Sequence, residues 1–110
     1  PFVLETRDRR LGDRGFVPDS FVLGQSYPNP FNPSTKIGYG LPQDGQIEIA
    51  VYNLLGQKIR TLVSGFEKAG YRHVTWDGRT NESQLVPSGM YFYVMESGNF
   101  RDVKKVMLLK

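Results

Sequence analysis

The sequence contains no cysteine. Disulfide staples, thiolate metal ligands and a cysteine nucleophile are therefore excluded. It contains one histidine, His73, so no histidine metal cluster can form within one chain. No apolar run reaches the ~20 residues that a membrane-spanning helix requires. No segment holds a helical period, and nothing repeats at roughly 20 to 50 residues. The formal charge is only +3, and the charges are scattered rather than gathered into a tract. No secretory leader is visible, and the first residue is Pro1. The expectation is a piece of a larger protein whose export signal lies upstream. A chain of 110 residues suits one domain that buries an adequate core without staples.

What is present is organised around Ser26-Tyr27-Pro28-Asn29-Pro30-Phe31-Asn32-Pro33-Ser34-Thr35. Pro28, Pro30 and Pro33 fix φ and remove three backbone donors. Tyr27, Asn29 and Asn32, each before a proline, are driven to extended geometry. The segment cannot be a central strand. It reads as a rigid strap across one end of a β-sandwich, carrying Tyr27 and Phe31 to fixed places. The amides of Asn29 and Asn32 are suited to bonding backbone that proline leaves short of donors.

Residues 1–18 differ from the rest. They are of mixed charge, with few apolar residues and no sustained period, and read as a linker or the tail of an upstream domain. Arg9-Arg10 within them reads as solvated linker rather than a nucleic-acid contact, and no nucleic-acid partner is expected. From residue 19 to residue 110 the chain reads as one unit. Phe21-Val22-Leu23 is a short first strand. Thr35, Ile37, Tyr39 and Leu41 alternate with Lys36, Gly38 and Gly40, which gives one buried face. Pro42-Gln43-Asp44-Gly45 is a turn. Ile47, Ile49 and Val51 line the next strand, and Asn53-Leu54-Leu55-Gly56-Gln57 is a hairpin loop that ends on Gly56. Lys58 to Val63 returns as a strand, Ser64 to Gly70 reads as a loop, and Arg72, Val74 and Trp76 share one face of the strand after it, with Tyr71, His73 and Thr75 on the other. Asp77 to Ser83 is a polar loop. Met90 to Met95 is apolar on both faces, which predicts a central strand buried on two sides. Phe100 to Leu109 is the last strand. The whole predicts an all-β, immunoglobulin-like antiparallel β-sandwich of about seven strands.

No catalytic constellation emerges. His73 reads as a surface or cross-strand histidine, and no Gly-x-Ser-x-Gly elbow accompanies it. Gly38-Tyr39-Gly40 precedes no helix and is no phosphate loop. The loop Asp77 to Glu82 offers oxygens but lacks the ligand spacing of a Ca²⁺ loop. Neither a cofactor nor a metal is expected. Asn81-Glu82-Ser83 matches a glycosylation sequon of a length that recurs by chance. Trp76 in phase with Val74 reads as a core tryptophan rather than a sugar platform. Lys104-Lys105 reads either as lysine protection of an edge strand or as a recognition tag, and physics alone favours protection.

The motifs from Phe21 to Lys110, taken in order, resemble the type A C-terminal sorting domain of the type IX secretion system. They are also similar to the immunoglobulin-like C-terminal domain of flagellar hook-capping proteins. The strap from Gln25 to Thr35, Tyr39-Gly40-Leu41-Pro42, Val51 to Gln57, Ala69-Gly70, Trp76-Asp77-Gly78-Arg79, Ser88-Gly89-Met90-Tyr91 and Lys104 to Lys110 carry the resemblance. Two positions depart from it. Ser83 stands where the family usually has glycine, and Arg72 where histidine is common.

The resemblance implies a non-catalytic sorting signal. It would send an upstream cargo domain of the same chain through the periplasm and across the outer membrane to the cell surface or the medium. The implied partners are the outer-membrane translocon, its shuttle proteins and a surface sortase that cuts in the linker. Ser88, Gly89, Tyr91, Lys104, Lys105, Val106 and Lys110 would carry recognition, with the last strand's edge read by strand addition. Tyr27, Pro28, Asn29, Pro30, Phe31, Asn32, Pro33, Gly56, Trp76, Asp77 and Gly78 would be structural. Two other readings are a structural immunoglobulin-like module of a filament cap or surface protein, and a carbohydrate-binding module of a glycanase. The last needs a planar row of exposed rings among Trp76, Tyr52, Tyr71 and Tyr91.

Overall fold

The computed structural model describes residues 17–110. Apart from Val17 and Pro18, the segment read as a linker lies outside the described residues.

Alternation of apolar and polar residues produces seven strands: β1 (Val22–Leu23), β2 (Thr35–Leu41), β3 (Gly45–Tyr52), β4 (Lys58–Glu67), β5 (Gly70–Trp76), β6 (Gly89–Ser97) and β7 (Phe100–Leu108). They form two antiparallel sheets, ordered β1-β2-β5 and β4-β3-β6-β7. The inward columns Ile37, Tyr39 and Leu41 on β2, Ile47, Ile49 and Val51 on β3, and Tyr91, Tyr93 and Met95 on β6 meet between the sheets. Burial of this apolar face is the main force holding the sheets together. The result is an immunoglobulin-like sandwich.

Two expectations are corrected. Ser64 to Glu67 is not loop but the second half of β4, paired with Gly45 to Glu48. Its polar residues are tolerated because β4 is an outer strand of its sheet, with Ser64 and Phe66 exposed. β6 is central, between β3 and β7, but its two faces are covered unequally. Tyr91, Tyr93 and Met95 are buried between the sheets, whereas on the other face Val94 is buried and Met90 and Phe92 stay half-buried. The strap turns Tyr27 outward, where it is 79% exposed, and only Phe31 goes into the core.

Packing begins at Pro18, which is buried over β2. A side chain at Gly40 would come within 2.8 Å of the Pro18 ring and 3.1 Å of the Tyr71 ring. Glycine at this position lets the incoming chain lie directly on the sheet.

Candidate functional site

The prolines of the strap set its course, and hydrogen bonds at both ends hold it. Tyr27 exchanges two backbone bonds with Lys36 at 2.9 Å each, and the Thr35 hydroxyl donates to the Pro28 carbonyl at 2.7 Å. At the other sheet, Phe31 N–H donates to Met107 O at 2.9 Å, and Leu109 N–H donates to Phe31 O at 3.1 Å. Asn29 does what proline cannot. Its Oδ1 accepts from Met107 N–H at 3.0 Å, and its Nδ2 donates to Lys105 O at 3.4 Å. The strap therefore joins the start of β2 to the end of β7, one sheet to the other. Asn32 was expected to serve likewise, but none of the side-chain bonds among the described residues involves it.

Below the strap lies an aromatic hub. The Phe31 ring packs against Trp76 with centroids 5.3 Å apart, and Trp76 meets Tyr91 edge-on at 5.5 Å. All three are buried, and this tilted and edge-on geometry suits ring quadrupoles. Each ring comes from a different motif, so the hub locks strap, loop and β6 together. Their polar handles are satisfied locally. Trp76 Nε1–H donates to Arg79 O at 3.0 Å, and the Tyr91 hydroxyl donates to Pro87 O at 2.6 Å. Burial holds the Tyr91 phenol above the ordinary tyrosine range.

The loop after Trp76 wraps the same end. Gly78 takes φ +75°, and a side chain there would come within 3.5 Å of Leu108 and 3.6 Å of Phe31. Asp77 Oδ1 accepts from Arg60 Nη1 at 3.0 Å and from Arg79 N–H at 3.1 Å. Asn81 Oδ1 accepts from Thr61 N–H at 3.0 Å, and Thr80 Oγ1 accepts from Glu82 N–H. Protein donors thus occupy these oxygens, and the loop is organised as a cap on β4 rather than as a cation cage. Among the described residues no cluster of acidic and histidine side chains has metal-binding geometry. Gly56 sits at φ +81° in the β3–β4 hairpin, where Asn53 Oδ1 accepts from Leu55 N–H and Gln57 N–H.

A family model for the type IX secretion signal domain matches residues 31–109. The chain belongs to the type IX secretion signal domain family. It is a sorting signal, which directs export across the outer membrane to the cell surface or the surrounding medium.

The signal domain is similar in fold to three solved structures. Dimeric latent PorU from Porphyromonas gingivalis matches with TM-score 0.61 and 17% identity, over 81% of this chain and 9% of that one. PorZ, a surface component of the type IX secretion system of the same organism, matches with TM-score 0.55 and 16% identity, over 84% of this chain and 12% of that one. FlgD from P. aeruginosa matches with TM-score 0.53 and 20% identity, over 67% and 58%. The chain thus spans only a small part of PorU and PorZ. A comparison with curated protein sequences returned no match.

The residues expected to carry recognition divide by exposure. Tyr91 and Val106 belong to the core, so their side chains present nothing to a partner. Gly89 is half-buried at φ +151° and pairs with Leu108. Ser88 is exposed, and its Oγ accepts from Lys110 N–H at 3.1 Å. Lys104 and Lys105 do not form a pair. Lys104 falls on the inward column with Val106 and Leu108, at the rim, while Lys105 points outward. The β7 edge is also not the open template anticipated. Phe31 and Asn29 cover Met107 and Leu109, Gln25 Nε2 and Asn29 Nδ2 both donate to Lys105 O, and Asp102 Oδ1 accepts from Val103 N–H. The protein itself protects this edge.

Proposed function

We propose that the signal domain is read in its folded state, through the exposed outer face of β7 and the strap end, by the translocon and its shuttle proteins. Exposed Ser88, Lys105 and Lys110 are the contact groups. Lys104 and Gly89 support them, while Tyr91 and Val106 hold the strand in place. The observation that carries this reading is the family match over residues 31–109, joined to a β7 edge already occupied by the strap. A partner that needed the bare edge would first have to displace Phe31 from the core. A partner that reads side chains on the outer face would not. The upstream cargo belongs to the same chain, residues 1–18 act as its tether, and a surface sortase cuts there once export is complete. The domain works by being recognised, and catalysis is left to its partners.

The sugar-platform alternative loses its support. Trp76 and Tyr91 are buried, and exposed Tyr71 lies on the opposite sheet from half-exposed Tyr52. These four rings do not form a planar row.

Fusing residues 1–110 behind a periplasmic reporter, in a host that has the secretion system, tests the reading. The reporter is expected outside the cell. Lys105→Ala leaves stability within about 0.5 kcal/mol and is expected to hold the reporter in the periplasm. Lys104→Ala is expected to have the smaller effect. Normal delivery of a folded Lys105→Ala variant would remove the lysine from recognition.

A further inference from the structure

Three segments distant in sequence leave a cleft of about 280 Å³ between them at the strap end. Asn32, Pro33 and Ser34 form one wall, Asp77, Arg79 and Leu85 another, and Leu108 with Lys110 the third. We propose that this cleft receives an acidic peptide segment of a protein partner, anchored by one large apolar side chain. The proposal rests on the sorting reading and names the chemistry of the partner.

The apolar part of the case is geometric. Leu85 is 54% exposed beside the cleft although it stands in an ordered loop, and Pro33 and Leu108 continue the same apolar lining. A volume near 280 Å³ takes one large side chain, not a helix or a strand. The electrostatic part is a matter of pairing. Lys58, Arg60, Arg72 and Arg101 each have a carboxylate partner, at 2.8, 3.0, 3.5 and 3.2 Å. Arg79 and Lys110 have none among the described residues. Asp77 is the one side-chain carboxylate lining the cleft, and the Arg60 guanidinium already neutralises it; the α-carboxylate of Lys110 offsets that residue's own ammonium, which leaves Arg79 as the unbalanced charge. The mouth is therefore positive.

Arg79 is also positioned for a carboxylate. Its Nη1 donates to Ser83 O at 2.9 Å and its backbone is fixed by Asp77. The guanidinium is held while further N–H donors remain for a planar acceptor. A bare phosphate would use the cations and leave Leu85 and Leu108 unused. An apolar side chain followed by carboxylates uses both.

The test titrates the ¹⁵N-labelled 110-residue chain with two capped peptides, Gly-Phe-Glu-Glu-Gly and Gly-Phe-Gln-Gln-Gly, and separately with inorganic phosphate. Saturable shifts are expected at Ser34, Arg79, Leu85 and Lys110 with the acidic peptide, and binding about two- to five-fold weaker with the neutral one, the size of one exposed ion pair. Leu85→Ser and Lys110→Gln, both at exposed positions, are each expected to weaken binding by a similar factor without lowering the melting temperature. Equal affinity for the two peptides, shifts confined to another surface, or no saturation would each overturn the cleft. Saturable binding of phosphate with no preference for the acidic peptide would overturn it in favour of an anionic lipid or glycan. In cells, a reporter fused to the Leu85→Ser/Lys110→Gln chain should be retained in the periplasm. Its normal export would sink the cleft and leave the sorting reading standing. Failure of the unaltered chain to export the reporter would sink the sorting reading itself.

Discussion

At one end of the sandwich three short connections link the strands: 42–44 between β2 and β3, 68–69 between β4 and β5, and 98–99 between β6 and β7. At the other end stand two long ones, 24–34 and 77–88, beside the five-residue β3–β4 hairpin 53–57. The short connections are built from local chemistry. Gly98 supplies φ +58° to a two-residue hairpin turn, and Asp44 Oδ1 accepts from Ala69 N–H at 2.8 Å. The long connections form no strand of their own, only isolated bridges such as Arg79–Leu85 and Tyr27–Lys36. They are held by tertiary contacts, the Phe31–Trp76–Tyr91 hub and the bonds from the strap to β7. The comparison teaches where a small β-domain places its distinctive residues. Turn chemistry, one bond between turns and the Phe21–Phe100 stack close one end, so fewer side chains there are constrained beyond the turn. The other end depends on particular rings and amides, and it also holds the cleft and Ser88.

The comparison breaks most directly by removing one ring from each end. Phe31→Ala empties a buried site in the hub and should cost ~3–5 kcal/mol. Phe100→Ala at the turn end removes a half-buried ring stacked on Phe21 at 5.0 Å. It should cost about half as much, because part of its surface already faces water. Urea denaturation of both variants decides the matter, and equal costs would mean that the hub is not the special end. Asn29→Ala strips the side-chain bonds from Met107 N–H and Lys105 O and should cost ~1 kcal/mol. Amide exchange is then expected to speed up at Met107 before it does anywhere in β3.

Alkaline pH probes both ends at once. Burial, and then the hydrogen bond donated to Glu67 at 2.8 Å, raise the Tyr39 phenol far above its usual range. Burial also raises Tyr93 and Tyr91. A tyrosine is neutral when protonated, so a raised folded-state value means that the folded chain binds the proton more tightly than the unfolded chain. Stability is therefore full below the unfolded value near 10 and falls as pH climbs through it towards the raised values. Each such tyrosine contributes ~1.4 kcal/mol per pH unit in that window. Denaturation midpoints should be flat from pH 7 to about 10 and then drop. Tyr39→Phe should flatten the drop and lower the plateau by about 1–2 kcal/mol, for the lost hydrogen bond to Glu67.

The strand interiors were legible because a period of two reports one buried face, and β2, β3 and β6 follow it closely. The strap was legible from proline alone, since three missing donors and three restricted neighbours exclude helix and central strand. The exposure of Tyr27 was not, because sequence does not say which way a strap ring turns. The second half of β4 was missed because Ser64 and Gly65 carry turn composition into an outer strand. The separation of Lys104 from Lys105 was available in the sequence: Val106 and Leu108 set the inward parity, and Lys104 shares it. The cleft was not available at all. Its walls come from residues 32–34, 77–85 and 108–110, and no local pattern reports that they meet.

The smallest expected effect lies in the longest connection of the strap end, and it has the opposite sign. Ser83 has φ +67°, the one non-glycine residue in the left-handed region among the described residues. The turn from Thr80, whose carbonyl accepts from Ser83 N–H at 2.9 Å, forces this conformation. A side chain there places Cβ close to the following carbonyl, at a cost of roughly 1 kcal/mol. The departure from the family's usual glycine thus coincides with a strained residue. Ser83→Gly removes the strain but also frees the unfolded chain, which returns part of the gain. The net expectation is a stabilisation of ~0.5–1 kcal/mol, read as a rise in urea midpoint with unchanged slope. The Arg79 Nη1 bond is to the Ser83 carbonyl, not its side chain, so the substitution leaves that contact in place. A fall in midpoint would show that the Ser83 hydroxyl holds the loop in a way the backbone geometry does not reveal. The strap end would then depend on one more side chain than the hub and the amides account for.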